Sequence, residues 1–436
     1  MAGAGNELGS GNTGAATRAG QETRIVMVMP YLNYPVQARE RGFRICAIWD
    51  PKAAAGIFGD GAGQFLADLA EVTDQVRLVD FADHGAFLAQ LRAAVADYRP
   101  RYLYHAGSED TMLATYRLAE ELGLAAVNPT ESIRLLNDKL ELRHTLAAHG
   151  ISPVRFASAG RWQDVGRLLG DFSLPVVVKP TSLSGSRAVM LIHHADQLAA
   201  WGASLEAYGY DGPVLVEEYL DGPEVSVETI SVRGRHHVIG VTRKLLGEPP
   251  WFVEVGHVHP EPDQMVTVAV SDLVVRMLTA VGYRTGPAHS EVRLTAGGPR
   301  IVESQARPGG DMIPRLVGLA RGFDVAGGIF DALAGNPLKH GTRDDTARIH
   351  YFQLPVGTVT SVTGLAEVRA LDFVQQLSFP FRPGDEIPVT VDWRTRHGYV
   401  IVRGASLEET DKLVQQVESV LRVEVRARMP EEGGEG

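Results

Sequence analysis

One cysteine, Cys46, in 436 residues leaves no internal disulfide to form. It sits in the apolar run RICAIW (44–49), which marks it as a buried structural residue, and a chain without disulfides fits a reducing, cytoplasmic compartment. No apolar run approaches the length of a membrane-spanning helix, and the N-terminus lacks a basic stretch followed by an apolar core, so neither a span nor a leader is expected. Surplus positive charge is also missing. With 53 acidic against 42 basic residues and a formal charge of -11, a general nucleic-acid or anionic-membrane binder is disfavoured, and any anionic ligand needs a local basic pocket. A glycine-rich phosphate loop does not follow the first strand. The segment there is PYLNYP (30–35), which removes support for dinucleotide binding. Residues 1–23 hold almost no large apolar side chain, too little burial to offset ordering, so a disordered tail is expected.

What is present is enough apolar residue, 44%, for several cores. The runs RIVMVMP, FRICAIWDP, VRLVDF and RYLYHAG alternate with helical stretches, so 24–128 reads as a parallel α/β domain. A single amphipathic helix, IRLLNDKLELRHTLAAHG, is expected next, with Ser132 as its N-cap and Gly150 as its stop. Then PVVVKP, AVMLI, PVLVEEYL, EVSVETISV, HHVIGVTRKL, AHSEVRL and RIVESQAR read as strands with short glycine-containing connections, an α+β pattern over 129–336 that divides into 129–215 and 216–336. Composition changes again at Pro337. A smaller β-rich domain is expected over 337–428, ending in a helix, LEETDKLVQQVESVL, with a charged tail at 429–436.

In RIVESQAR the residues Glu303, Gln305 and Arg307 occupy alternate positions of one strand. The neighbouring HSEVRL is separated from it by the turn TAGGP. If Leu294 faces Arg300, then Glu291 faces Glu303. Like charges directly opposite are destabilising, so either both face water or a cation lies between them. Mg²⁺ takes oxygen ligands from one or two carboxylates plus phosphates, and Gln305 adds an amide oxygen. Arg307, followed by Gly309 and Gly310, suits a phosphate or carboxylate approached closely by backbone; the alternative is a surface salt bridge. Lys179 ends a buried strand ahead of Ser182, Ser184, Gly185 and Ser186, either a loop that folds over phosphates or a plain turn. Glu217, Glu218, Tyr219 and Leu220 offer a backbone strip for adenine and Glu224 a carboxylate for ribose, unless they form an acidic surface hairpin. Lys139 on its helix is either a solvated lysine or a ligand. Arg243, Lys244, Glu254, His257 and His259 surround a loop rich in proline and aromatics. Without a cysteine or a third histidine close by, the two histidines make a poor zinc site and suit a substrate amine or site closure better.

In this order the segments resemble the ATP-grasp superfamily, and from Ile25 to Arg428 the chain is similar to the L-amino acid ligases, which join a carboxylate to an amine. The resemblance implies a multidomain α/β and α+β architecture: an N-terminal pre-ATP-grasp (Rossmann-like) domain, a split ATP-grasp core and a β-rich α+β C-terminal domain. Lys139 of NDK and Lys179 of VVVKP match the nucleotide lysines, SLSGSRAV the phosphate loop, and VLVEEYLDGPE the adenine hinge and ribose acid. Glu291, Glu303 and Gln305 match the metal ligands. The family's Glu-x-Asn-x-Arg becomes Glu303-Ser304-Gln305-Ala306-Arg307, with an amide one methylene longer. Arg307, Gly309, Gly310 and Lys244 take catalytic roles, and Glu254, His257 and Asp311 face substrate. ATP and Mg²⁺, with Mn²⁺ as a substitute, are the implied cofactors; a small carboxylate and an amine are the partners, with no nucleic acid or membrane, and a homodimer is open. The implied reaction forms an acyl phosphate and ADP, after which an amine displaces phosphate. A ligase for a specialised natural-product acid, a carboxylase or purine-pathway relative, and a non-catalytic ATP-binding module stand as alternatives.

Overall fold

A computed structural model describes residues 22–107, 111–125, 128–183, 185–247 and 252–427. Most of the expected N-terminal tail, Ser184 of the phosphate loop and the charged tail at 429–436 lie outside the described residues.

The first β-branched runs form a four-stranded parallel sheet in the order Gln75–Leu78, Phe43–Trp49, Thr23–Val28, Tyr102–His105. Helices connect the strands, as parallel pairing requires. One of them, Pro51–Phe58, starts cleanly because Asp50 caps it by accepting from the Lys52 amide and proline occupies its first turn. Cys46 lies in the middle of this sheet, fully buried and unpaired, and burial pushes its thiol up to about 11.

The single helix expected over 133–150 is two, Thr130–Asn137 and Lys139–Ala148. Asp138 separates them. Its backbone is extended (φ -98°, ψ 111°), and its carboxylate accepts from the amides of Leu140 and Glu141, so it caps the second helix instead of continuing the first. Ser132 is buried inside the first helix and caps nothing. The break places Lys139 at the first position of the second helix. Gly150 follows that helix in a left-handed conformation, as a stop residue should.

Two antiparallel sheets follow. One has four strands in the order Phe156–Ala159, Val214–Glu218, Val176–Pro180, Met190–Ile192, and its own core, in which Trp201 packs on Val176, Val178, Val214 and Val216. The other has eight, in the order Gly298–Gln305, Gly286–Thr295, Glu224–Val232, Arg235–Leu246, Glu254–His259, Thr346–Tyr351, Tyr399–Gly404, Val374–Ser378. Helix Gln264–Ala280 and helix Lys139–Ala148 share a core against it, through Val270, Val274, Leu142 and Leu146 on Val225, Val227 and Val241. Strand Glu254–His259 and helix Gln264–Ala280 are elements that the sequence reading did not place. The last three strands come from beyond Pro337, so the C-terminal region continues this sheet; only Glu386–Ile387, Gly357–Thr363 and Arg422–Ala427 form a small sheet of their own. The apolar stretch RIHYFQLPVGTVTSV (348–362) divides at Phe352–Val356 between two sheets, at Pro355, which cannot donate to a ladder. Between the four- and eight-stranded sheets lies a cavity of about 1220 Å³.

Candidate active site

Lys179 of the four-stranded sheet and Lys139 and Arg143 of helix Lys139–Ala148 supply the cationic side. Lys179 and Glu217 lie on neighbouring strands, with Val177 paired to Glu217, so their side chains share a face. Lys179 Nζ lies 2.6 Å from Glu217 Oε2, and Arg143, from helix Lys139–Ala148, donates through Nε to the other carboxylate oxygen. Arg143 also donates to the carbonyls of Ile301 (2.7 Å) and Val302 (3.3 Å), tying the helix to the eight-stranded sheet. Burial alone would raise the Glu217 pKa; Arg143 and Lys179 outweigh it and bring it down to about 2. Lys139 Nζ donates to Leu183 O at 2.7 Å and lies 3.2 Å from Glu303 Oε2. Taken together, Lys139, Arg143 and Lys179 outnumber Glu217 and Glu303 by one charge, which favours an anionic ligand.

The segment expected to give adenine a backbone strip has no carboxylate to spare. The Glu217 carboxylate is consumed by Arg143 and Lys179, and that of Glu218 accepts from the Arg155 amide at 2.8 Å, so what these residues offer a base is backbone. Tyr219 stacks on Phe252, with centroids 6.2 Å apart and planes at 22°, and both line the cavity with Leu220. Of the loop residues, Gly185 and Ser186 line the cavity and Ser182 does not. Both have positive φ (69° and 59°), and a Cβ on Gly185 would sit 3.0 Å from the indole of Trp393.

The eight-stranded sheet supplies the carboxylates. Glu291 does face Glu303, but by a different register from the one assumed. A tight turn at Ala296–Gly297, with Gly298 at φ 96°, pairs Leu294 with Pro299 and Arg293 with Arg300; a bulge between Glu291 and Val292 then leaves Val302 unpaired and restores the acidic pair. Lys244 Nζ sits among Glu291 (2.6 Å), Glu224 (2.7 Å) and Glu254 (3.3 Å). Burial disfavours its charge, but the three carboxylates prevail and hold its pKa well above the ordinary lysine value. The second Glu224 oxygen accepts from Arg293 at 2.7 Å, so a ribose hydroxyl would share an acceptor already engaged on both sides. Gln305 donates through Nε2 to Glu303 at 2.8 Å, which leaves its amide oxygen as the free acceptor.

An oxygen-only set of two facing carboxylates and one amide suits Mg²⁺ that takes its remaining ligands from phosphates and water. No group of three His, Cys, Asp or Glu residues that could hold a metal ion occurs among the described residues, so the protein alone does not complete such a shell. The histidines are engaged elsewhere: His257 Nε2 lies 3.1 Å from Asp311, and His259 Nδ1 bonds the Thr242 hydroxyl at 2.9 Å. That arrangement gives zinc no support.

The turn after Arg307 completes the site. The Gly309 amide donates to Glu228 Oε2 at 3.1 Å, and the other Glu228 oxygen is 2.6 Å from His289 Nδ1. Gly309 therefore has no N–H to offer a ligand, contrary to the role expected of it. It is glycine for space, since a Cβ would lie 2.9 Å from His289 Nδ1 and 3.1 Å from both Glu228 oxygens. Burial disfavours a charged His289, but Glu228 and then Glu291 outweigh it and raise its pKa above the ordinary histidine value. Gly310 lines the cavity, and a Cβ built on it would meet nothing within 4 Å, so a ligand can approach its backbone closely. Asp311 and Met312 follow with φ of 50° and 63°. The Asp311 carboxylate takes two bonds from Arg396 and one from His257. Arg307 and Arg315 both line the cavity.

Sequence reasoning missed Arg143, Glu228, His289, Arg293, Trp393 and Arg396. For His289 and Arg293 a signal existed, because HSEVR places them two positions either side of Glu291 on one strand face. Arg396 carried none, being 85 residues from its partner.

A ligand-sized cavity lies between two antiparallel sheets, and the family model of the ATP-grasp domain matches residues 172–314. The model of the L-amino acid ligase C-terminal domain 2 matches residues 350–426. The chain thus has the ATP-grasp fold, with two separate segments that match the ATP-grasp and L-amino acid ligase C-terminal models. It is 32% identical over 321 residues to an uncharacterised protein, y4rH, of Sinorhizobium fredii, a match covering 70% of this chain and 64% of that protein's own length. Dapdiamide A synthase of Enterobacter agglomerans is 25% identical over 336 residues, 72% of this chain and 78% of the synthase. The crystal structure of an L-amino acid ligase from Bacillus licheniformis shares the fold, with a TM-score of 0.75 at 20% identity over 93% of this chain and 99% of that one. No helix among the described residues is long and apolar enough to cross a membrane.

Proposed function

We propose that the protein is an ATP-dependent ligase that joins a small carboxylate, an amino acid or a related acid, to an amine through an acyl phosphate. The observation that carries this reading is that one cavity gathers Lys139 and Lys179, the Glu291–Glu303 pair and the Arg307–Gly310 turn. The substrate carboxylate oxygen attacks the γ-phosphorus of ATP, and the bond to the bridging oxygen breaks to release ADP. The amine nitrogen then attacks the acyl carbon, the carbon–oxygen bond to phosphate breaks, and phosphate leaves as the amide forms.

Little covalent chemistry falls to the protein, so positioning and charge neutralisation dominate. Lys139, Lys179 and the loop at Gly185–Ser186 hold the phosphates, while backbone from Glu217 to Leu220, with Tyr219 and Phe252, holds the base. Glu291, Glu303 and the Gln305 oxygen would hold Mg²⁺, which when bound would supply positive charge to neutralise the phosphates. Arg307 and the Gly310 amide face the transferred phosphoryl group and the tetrahedral oxyanion. Lys244 keeps Glu224, Glu254 and Glu291 in register. Glu254 is held by burial above the usual carboxylate range, which suits it to take the proton that the amine loses. His257 flanks the same substrate region. We read 24–128 as the pre-ATP-grasp domain, 129–336 as the catalytic core and 337–428 as the domain that closes the substrate side.

The test is ADP release with ATP and Mg²⁺ against pooled amino acids and simple amines. Turnover is expected only when a carboxylate and an amine are both present, with one amide formed per ADP. Nucleotide binding without turnover across the screen would favour a non-catalytic module instead.

A further inference from the structure

From the C-terminal region we infer that Arg396 is a positioning residue of the catalytic site, acting through Asp311 to hold the turn that presents the Gly310 amide. The inference rests on the ligase reading for what the turn does, but not for how it is held. Arg396 lies in a segment that ends two residues before strand Tyr399–Gly404. Its guanidinium lies 3.9 Å over the Tyr351 ring, and both terminal nitrogens reach Asp311, NH1 at 2.8 Å and NH2 on the other oxygen. With both ends of its fork engaged and only 7% of its side chain exposed, it does not meet substrate directly.

What it restrains is unusual backbone. Asp311 and Met312 are consecutive non-glycine residues in the left-handed region. Such conformations are unfavourable for side chains with a Cβ and persist where the surroundings over-determine them. Asp311 receives that determination from Arg396 and His257. One residue before it is Gly310, and two residues after it helix Ile313–Arg321 begins, with the Ile313 amide donating to Gly310 O at 2.9 Å. Release of the Asp311 side chain would free the turn from its C-terminal side.

The segment that carries Arg396 is itself fixed at several points. Asp392, 1% exposed, accepts from the Arg394 amide at 2.9 Å and from the Tyr208 hydroxyl at 3.0 Å, next to helix Gln197–Ala207 of the four-stranded-sheet layer. Trp393 packs beside Gly185 of the phosphate loop. One short stretch, Asp392 to Arg396, thus joins the phosphate loop, the four-stranded-sheet layer and the catalytic turn, which gives Arg396 a rigid base from which to act.

The test uses the full-length chain with Arg396→Ala and Arg396→Lys. Folding is checked by the thermal midpoint, nucleotide affinity by calorimetry, and the turn by hydrogen–deuterium exchange of the Gly309–Ile313 amides. Arg396→Ala is expected to raise exchange of these amides about tenfold and lower kcat about 100-fold, the loss that follows from misplacement on the order of 1 Å, while the KM for ATP stays within about threefold. Guanidinium ion at a non-denaturing concentration should restore part of both the protection and the turnover; methylammonium should not. Lysine, a point charge without a fork, should recover less than about a tenth of the activity. If Arg396→Ala does not fold, Asp311→Asn gives the same readouts with the turn residue itself altered. Unchanged exchange in a folded variant, wild-type turnover, or losses that guanidinium leaves untouched would overturn the proposal. The exchange readout needs no ligation, so a wild-type chain that makes no amide would fail the ligase reading while still deciding whether Arg396 holds the turn.

Discussion

Arg307→Ala is expected to lower kcat for amide formation by about 100- to 1000-fold, the range seen when a preorganised donor to a developing oxyanion is removed. Arg307 continues the strand face of Glu303 and Gln305 into the cavity, ahead of the Gly310 amide. Of the nucleotide's main charge partners, Lys179 lies on the opposite sheet and Lys139 opens helix Lys139–Ala148, where it meets Glu303 and the Leu183 carbonyl. The affinity for ATP should therefore change little, and the defect should appear in kcat, the pattern of an interaction made in the transition state. Arg307→Lys should recover only a minor part, because an ammonium cannot grip two phosphoryl oxygens as a planar fork does. Steady-state kinetics beside calorimetric ATP titration check this. Wild-type kcat, or an equal loss in ATP binding, would remove Arg307 from the role given to it.

Arg143→Ala should have the largest effect on stability, about 3–5 kcal/mol, the usual result of removing one partner from a buried ionic cluster. Glu217 would keep Lys179 but lose the guanidinium, and the Ile301 and Val302 carbonyls would lose their donor. The same cluster predicts a pH dependence. Glu217 has a folded-state pKa of about 2 against an ordinary 4.5, so its ionisation contributes stability that is fully present above pH 4.5 and is lost as pH falls towards 2. A shift of that size corresponds to about 3 kcal/mol. Thermal midpoints followed from pH 6 to pH 3 should fall steeply in the wild type and less in Glu217→Gln. Parallel pH profiles for the two proteins would show that Glu217 is not the responsible group.

The features that alternation and turn chemistry encode were legible in the sequence. The parallel sheet followed from β-branched runs such as RIVMV and FRICAIW, and the facing pair Glu291–Glu303 from two strands and a glycine turn. The register near the turn was one residue off, and the bulge at Val302 compensated for it; a bulge has no composition of its own to read. The break at Asp138 was hidden because apolar spacing runs on through both helices, although an Asn-Asp pair competes with the helix for backbone donors. Gly309 and Gly310 look equivalent in sequence, yet one is glycine to clear His289 and Glu228 and the other borders open space. The partners of Lys244 and Asp311 come from distant segments, and side-chain pairing across such separations leaves no local pattern. The same holds for Glu217, read as a nucleotide ligand and found locked to Arg143 and Lys179.

The most direct test of the acyl-phosphate account follows one oxygen. With the carboxylate substrate identified by the ligation screen and labelled with ¹⁸O in both carboxyl positions, each turnover should transfer one ¹⁸O atom to the released phosphate and leave one in the amide. Phosphate carrying no label while amide accumulates, or release of AMP and pyrophosphate in place of ADP and phosphate, would contradict it.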